Sequence, residues 1–471
     1  MSTRTNRWMG PARLWWKTRA ARRSGDIGAL VRTVAAGADT AVGLRVGRRR
    51  VLLLLDPVQV GRLLVEQAAV TTKGPAVQLT RQMLGDGLLT SEGAPHDRAR
   101  RLIAPAFAPR RLAGYTDTFA ARTRARIATW QDGEERDIHD EISALTIDIV
   151  GRTLLGVDLE DRSPTIRGSV ESALDRFGRV GGGVLLGGVA AVRPFRRRPR
   201  PAPPGGIAGP AGTVPPDATV PTAAELAVHD VVEQVLAERR NHPCDDRGDV
   251  VSALLAAGEG RDGLSHQEIH DQVITLMMAG HETSANALTW TLFLLGKHPH
   301  VQERLSAQAA AFRTTGPIFA DLPTLRYARA VLSEAMRLYP PAWLLGRTLV
   351  APVEFAGWRA PAGTMIGVSP LLLHRDARWF PDPDRFDPER WLDDRRNAVP
   401  RYAFLPFGTG PRACIGEQFA WAEATTVLTV IASNWRVHTD PALSPDLQYR
   451  VTLRPDGAVP VRLTRRVRQP P

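Results

Sequence analysis

FGTGPRACIG, Phe407 to Gly416, sets Cys414 between a turn rich in glycine and proline and the apolar run EQFAWAEATTVLTVIASNW that follows it. Gly408, Gly410 and Pro411 cannot continue a regular element, whereas the run after Gly416 has neither proline nor glycine through Trp435. The pattern is a loop feeding a helix. Cys414 is thereby placed at a helix N-terminus, where unpaired backbone N–H groups and the helix dipole ease formation of a thiolate.

Three uses of that sulfur are compatible with its setting. It can be a small buried apolar side chain. It can be a nucleophile, which needs a histidine base brought close by folding. It can also be an axial thiolate ligand to haem iron, the glycines letting the backbone pass close to a flat macrocycle. A phosphate-binding loop is excluded, because no Gly-Lys-Ser/Thr follows.

With 471 residues, 43% hydrophobic and 23% charged, the chain can bury a sizeable core in one to three domains, and composition does not divide it. Its two cysteines, Cys244 and Cys414, cannot form a disulfide framework and point to a reducing compartment; Cys414 has no nearby Cys or His for a zinc site. A net charge of +12 suits nucleic acid, an anionic membrane surface, an acidic protein partner or an arginine-rich solvated surface. Without zinc-finger spacing or an RNP-type aromatic motif, and with the basic residues spread along the chain, nucleic-acid binding is not expected.

Residues 1–40 form a basic segment with Trp8, Trp15 and Trp16 but no continuous apolar stretch, so neither a signal peptide nor a spanning helix is expected. Arg22 and Arg23 look like a twin-arginine signal, but Asp26, Arg32 and Asp39 interrupt the segment that would have to be apolar. An interfacial amphipathic helix stays open. Val42 to Val65 reads as two strands and a helix, and the chain to Trp130 as mostly helical. His96 and Arg100, four apart, share a helix face: a solvated basic face, or donors to an anionic cofactor edge. Asp137 to Gly156 has the spacing of a core helix. The tract 193–221, rich in proline, glycine and arginine, reads as a mobile loop or insertion.

Ser265 and Glu268 form a capping box opening a proline-free run from about His266 to Lys297. About 30 residues at ~1.5 Å each span a whole domain. Mid-run lies MMAGHETSANAL, Met277 to Leu288, where Gly280 costs about 1 kcal/mol relative to alanine and Glu282 and Thr283 place an acid and a hydroxyl in an otherwise apolar helix. Either the helix kinks and solvates them, or a ligand lies against the glycine. A second helix, TLRYARAVLSEAMRLYPP, carries Glu334 and Arg337 three apart, the spacing of an ion pair, and ends at Pro340-Pro341. Short strands and a proline-studded aromatic loop then lead to Trp391.

Together these stretches resemble a cytochrome P-450, a haem-thiolate monooxygenase of the bacterial soluble type, over nearly the whole chain. The haem-loop pattern is matched at Phe407, Gly410, Arg412, Cys414 and Gly416. The acid-threonine helix is matched at Ala279-Gly280-His281-Glu282-Thr283, followed by Glu334-x-x-Arg337 and Phe386-x-Pro388-x-Arg390. The resemblance implies a mainly α fold with small β-sheets (α+β), one haem domain over 1–471, and haem b between the long helix and the cysteine-loop helix. Cys414 would be the proximal iron ligand. Phe407 would pack beside its sulfur, and Gly410 and Gly416 would admit the loop beneath the ring. Arg412, His96, Arg100 and Arg347 would bind the haem propionates. Glu334, Arg337 and Arg390 would form a buried structural triad. Gly280 would let the long helix approach the oxygen site, with Glu282 and Thr283 as a proton relay.

The same resemblance implies hydroxylation or epoxidation of a hydrophobic small molecule, a terpenoid or fatty acid, with a polyketide or other natural product as the alternative. Haem binding without oxygenation is the reading of another class, and Glu282 with Thr283 argues against it. Substrate-facing positions would be Leu276, Met277, Ala279, Ala342, Trp343 and Leu344, for each of which core packing is an equal reading. Electrons would come from NAD(P)H through a separate reductase and a ferredoxin or flavodoxin, whose acidic surfaces suit the positive charge. A cytoplasmic monomer without a transmembrane helix is expected.

Overall fold

A computed structural model of the protein describes residues 8–9, 27–46, 49–159, 164–169, 172, 223–241, 248–258, 263–310 and 318–467. The tract 193–221 and most of 1–40 lie outside the described residues. The longer helices are Ile27–Ala35 (α1), Pro75–Leu84 (α2), Gly93–Ile103 (α3), Pro109–Ile127 (α4), Ile138–Val150 (α5), Ala223–Asn241 (α6), Val250–Gly258 (α7), His266–Lys297 (α8), Pro299–Ala310 (α9), Arg326–Leu338 (α10) and Glu417–Asn434 (α11). Strands are short: Ala41–Val46 (β1), Arg49–Leu54 (β2), Thr71–Lys73 (β3), Glu135–Asp137 (β4), Leu345–Leu349 (β5), Val353–Phe355 (β6), Trp358–Ala360 (β7), Met365–Val368 (β8), Trp435–His438 (β9), Asp446–Tyr449 (β10), Leu453–Asp456 (β11) and Pro460–Arg465 (β12).

The fold is mainly helical, as read from the sequence. Five strands form one sheet in the order β1-β2-β8-β5-β3, in which β2 and β8 run parallel; β4, β12 and β9 form another, and β10-β11 and β6-β7 are hairpins. The helix over 266–297 forms as the capping box requires: Ser265 Oγ accepts from Glu268 N–H, and the Glu268 side chain accepts from Ser265 N–H. At 32 residues, α8 is buried along most of its length and packs against α5, α10 and α11. Such a helix lies inside the body, not on its surface. The main core runs from Met83 and Leu84 through α4, α5, α8 and α10 to α11, and a second cluster lies between the five-stranded sheet and Leu405. Among the elements the sequence pattern missed is β3, a three-residue strand pairing with β5 and leading straight into α2.

Candidate active site

The loop before α11 is closed by its own backbone. Cys414 N–H donates to the Phe407 carbonyl at 3.0 Å, and Ala413 N–H donates to the Gly410 carbonyl at 3.0 Å. Gly410 has φ of 76°, and a Cβ there would fall 2.1 Å from the carbonyl oxygen of Leu64, so only glycine fits. Its requirement is set by the protein's own turn Arg62–Glu66. At Gly416 a Cβ would meet Phe107 at 3.8 Å and Cys414 Sγ at 3.9 Å, ordinary contacts, so the packing does not demand glycine there.

Cys414 keeps free surface although protein atoms surround it, which is the condition of a side chain lining an interior opening. Burial pushes its thiol up to about 11, the Gly416 N–H opposing and Glu417 reinforcing the rise. The helix terminus eases ionisation through that N–H, but in the protein alone desolvation outweighs it. A bound metal cation reverses that balance, because a coordinating thiol is deprotonated outright.

Mid-way along α8 the burial breaks. Ala279 is exposed and Gly280 and Thr283 are half-buried, between fully buried turns on either side. Thr283 Oγ donates to the Ala279 carbonyl at 2.7 Å. A Cβ on Gly280 would face Val150 and Leu154 at 3.5 and 3.6 Å, so that vector points to α5 and its following turn at ordinary contact distance, and the glycine is not a steric necessity there. His281 is buried against Thr146 Oγ1 at 2.9 Å, and desolvation pushes it down to about 3, leaving it neutral. Glu282 is also buried, and its Oε1 accepts from Asn286 Nδ2 at 2.8 Å and from Thr452 Oγ1 at 3.0 Å. The acid and hydroxyl of the Glu282-Thr283 pair are therefore not brought together. Ser284 ties this part of α8 to Glu423 on α11, in the helix that Cys414 leads into.

Arg412, His96, Arg100 and Arg347 lie together as a basic group. Arg100 Nη1 donates to the Ala413 carbonyl at 2.9 Å, next to Cys414. Arg412 bonds Glu92 Oε2 at 2.9 Å and also Ala68 and Thr71, so as it stands it also clamps the loop. Among the described residues Arg347 donates to the Gly346 carbonyl, at 2.9 Å. Desolvation, with Arg412 adding to it and Glu92 opposing, lowers its guanidinium to about 10. His96 is buried with Nδ1 3.0 Å from Asp97 Oδ1, and desolvation lowers it. Lys73, which the sequence pattern did not single out, joins them: its Nζ donates to Leu88 and Ser91 carbonyls at 2.9 and 2.6 Å, and burial lowers it to about 8. Cations crowded and desolvated in this way call for anionic charge.

Glu334, Arg337 and Arg390 come together in the interior. Arg337 makes a fork with Glu334, Nε to Oε2 and Nη2 to Oε1, both at 2.8 Å. Arg390 Nε lies 3.4 Å from Glu334 Oε1. Trp391 Nε1 and Asp387 N–H complete the carboxylate at 2.9 Å each, while Arg337 also donates to His374, Pro383 and Arg385 carbonyls. Glu334 and Arg337 have no exposed surface. A buried pair so fully hydrogen-bonded anchors the loop from His374 to Trp391 on α10.

Of the substrate-facing positions, Leu276 and Met277 belong to the main core. Trp343 packs with Leu371 and Leu453, and its Nε1 donates to the Arg450 carbonyl at 2.8 Å. Ala342 and Leu344 are half-buried, and Ala279 alone of the six is exposed. A separate cleft of about 440 Å³ lies where the cysteine loop meets α10; Arg326, Arg329, Arg396, Phe407 and Trp421 are among its walls. Arg329 lies over the Trp421 ring at 4.3 Å, and Trp421 stands 5.5 Å from Phe407.

These groups fit a haem. A sulfur with free surface inside the protein could take the iron; Arg100, Arg347, Lys73 and His96 could meet two carboxylates; the break in burial at Ala279 and Thr283 leaves room on α8. The cytochrome P450 family model matches residues 10–176 and 219–459. Cyclooctatin synthase of Streptomyces melanosporofaciens is 36% identical over 433 residues, 89% of this chain and 88% of that protein. Cyclooctat-9-en-7-ol 5-monooxygenase of the same organism is 36% identical over 85% of this chain and 83% of its own. Pentalenene oxygenase of Streptomyces avermitilis is 35% identical over 85% and 84%. Two solved cytochrome P450 structures, one the haem domain of cytochrome P450DA, superpose with TM-scores of 0.77 and 0.76 at 24% and 23% identity, covering 93% and 98% of this chain and 94% of each of theirs. With a cysteine loop, a mid-helix opening and a buried triad arranged in that fold, the chain belongs to the cytochrome P450 family and is a haem-thiolate monooxygenase supplied with electrons by redox partners.

Proposed function

We propose that Cys414 is the proximal ligand of a haem b and that the enzyme hydroxylates or epoxidises a terpenoid. The haem supplies activation of O2 and insertion of one oxygen atom into the substrate. The chain's own residues hold and serve it. Arg100, Arg347, Lys73 and His96 bind the propionates, Arg412 fixes the loop through Glu92, and Thr283, with Glu282 behind it, delivers protons at the oxygen side. The observation that carries the substrate class is the likeness, over 85% of this chain, to enzymes named for pentalenene, a hydrocarbon by its suffix, and for cyclooctat-9-en-7-ol, an alkenol. An exposed Ala279 beside Thr283 suits such an apolar ligand.

NAD(P)H, a reductase and a ferredoxin or flavodoxin supply the electrons, and the net positive charge of the chain suits an acidic donor. Among the described residues no helix is long and apolar enough to cross a membrane, which supports a cytoplasmic enzyme. We take it to work as a monomer, with residues 1–471 as a single haem domain. The test is a titration of the haem-loaded enzyme with terpenoid hydrocarbons and alcohols, fatty acids and polyketide macrolides, read as a shift of the Soret band. Micromolar shifts with terpenoids and none with the others are expected. Shifts confined to fatty acids or macrolides would replace the terpenoid reading.

A further inference from the structure

Glu282 is held from behind. Thr452, which donates to its Oε1 at 3.0 Å, lies in the turn Arg450–Thr452 that joins β10 to β11. Both side chains are buried, Glu282 at 6% and Thr452 at 5% exposure. The same turn is fastened to the stretch after Pro340-Pro341: Trp343 Nε1 donates to the Arg450 carbonyl at 2.8 Å, and Leu453 N–H donates to the Pro341 carbonyl at 2.9 Å. The Trp343 ring also stands edge-on to Tyr449, 5.3 Å between centroids. At the tip of the turn Val451 is 44% exposed, an apolar side chain between two anchored neighbours. One short turn therefore touches both the acid on α8 and the segment expected to face substrate.

A hydroxyl donating to an enclosed carboxylate is stronger than a neutral pair, and a carboxylate held by two such donors keeps its rotamer. In that rotamer Glu282 is bound to Asn286 and Thr452, while Thr283 bonds the Ala279 carbonyl, so the two groups do not meet. We propose that Thr452 is a latch on Glu282: the turn Arg450–Thr452 holds the acid in reserve until a substrate pressing on the Trp343 side shifts the turn and releases it. Thr452 is then a positioning residue that ties proton supply to the presence of substrate. The latch rests on the reading of Glu282 and Thr283 as a relay.

The test uses the haem-loaded enzyme with its electron donors and compares Thr452→Val with Thr452→Ser. Loss of the donor should raise substrate-free O2 consumption about fivefold, the weight of one net hydrogen bond. Serine should restore the basal rate. Independently of turnover, hydrogen-deuterium exchange over 446–456 should rise about fivefold in both Thr452→Val and Glu282→Ala. Wild-type exchange in both variants, or wild-type substrate-free consumption in Thr452→Val, overturns the latch. Unchanged coupling in Thr283→Ala would overturn the relay instead, whatever the exchange shows.

Discussion

Ser284 Oγ donates to Glu423 Oε2 at 2.5 Å, a single hydrogen bond joining α8 to α11 through a carboxyl with no exposed surface. Glu423 Oε1 has no partner among the described residues, and burial pushes the group up to about 8, with Ser284 opposing. At neutral pH it is protonated. The unfolded chain carries an ordinary glutamate near ~4.3, so between the two values the folded protein holds a proton that the unfolded chain lacks. The group's contribution to stability is whole below the unfolded value, declines as pH rises, and is lost once pH passes the folded value. Glu423→Gln keeps a neutral acceptor for Ser284 and removes the titration. Its Tm relative to wild type should climb between pH 5 and pH 8.5, and an infrared band of protonated carboxyl should vanish. A pH-independent difference in Tm would show that Glu423 is ionised.

The Ser284–Glu423 bond also marks where the sequence stops being legible. Signals carried by neighbours in the chain were readable: the Ser265–Glu268 box, the Glu334–Arg337 spacing, the Gly-Pro turn before α11. Arg390 could be read only because a second motif pointed to it. Pairs brought together by the tertiary fold were not. Glu423 meets Ser284, Thr452 meets Glu282, and Lys73 with Glu92 enters the cation group through β3, a strand too short to leave a periodic pattern. The desolvation that opposes ionisation of Cys414 was out of reach for the same reason, since a helix terminus is local and desolvation is not.

Gly410 and Gly416 look equivalent in the loop pattern and should behave differently. Gly410→Ala forces a Cβ 2.1 Å from Leu64 O at a positive φ of 76°. Strain of this kind costs about 1 to 3 kcal/mol even where the backbone can yield. The variant should lose haem occupancy and unfold at lower urea. Gly416→Ala meets nothing closer than 3.8 Å and should keep stability within about 1 kcal/mol. Equal loss in the two variants, measured by urea melts, would mean that the bound macrocycle rather than Leu64 sets the requirement.

Thr283 presents its hydroxyl where α8 opens, and the bond to the Ala279 carbonyl is the only one it makes among the described residues. Thr283→Ala should leave haem binding and the reduced carbon monoxide band in place while diverting most donor electrons from product to peroxide. Removing one positioned proton donor costs about 10² to 10⁴ in the step it serves. Product per electron is the measurement, and wild-type coupling would take Thr283 out of the relay.

Lys73 trades stability for ligand retention. Its Nζ reaches two carbonyls, Leu88 and Ser91, and desolvation holds it at about 8, with Glu92 favouring the charge and Arg412, Arg347 and Arg100 opposing it. Because that lies below the unfolded value of ~10.4, the unfolded chain binds more protons between the two, and stability of the haem-free protein should rise with pH across that window. Lys73→Met removes the penalty. The haem-free variant should melt above wild type at pH 7 and lose the rise between pH 8 and pH 10. Holding haem is the other side of the exchange: without the ammonium, transfer of haem to apomyoglobin should run about tenfold faster, the scale of one charge-assisted hydrogen bond. A variant that keeps both the pH slope and the wild-type transfer rate would place Lys73 outside the haem site.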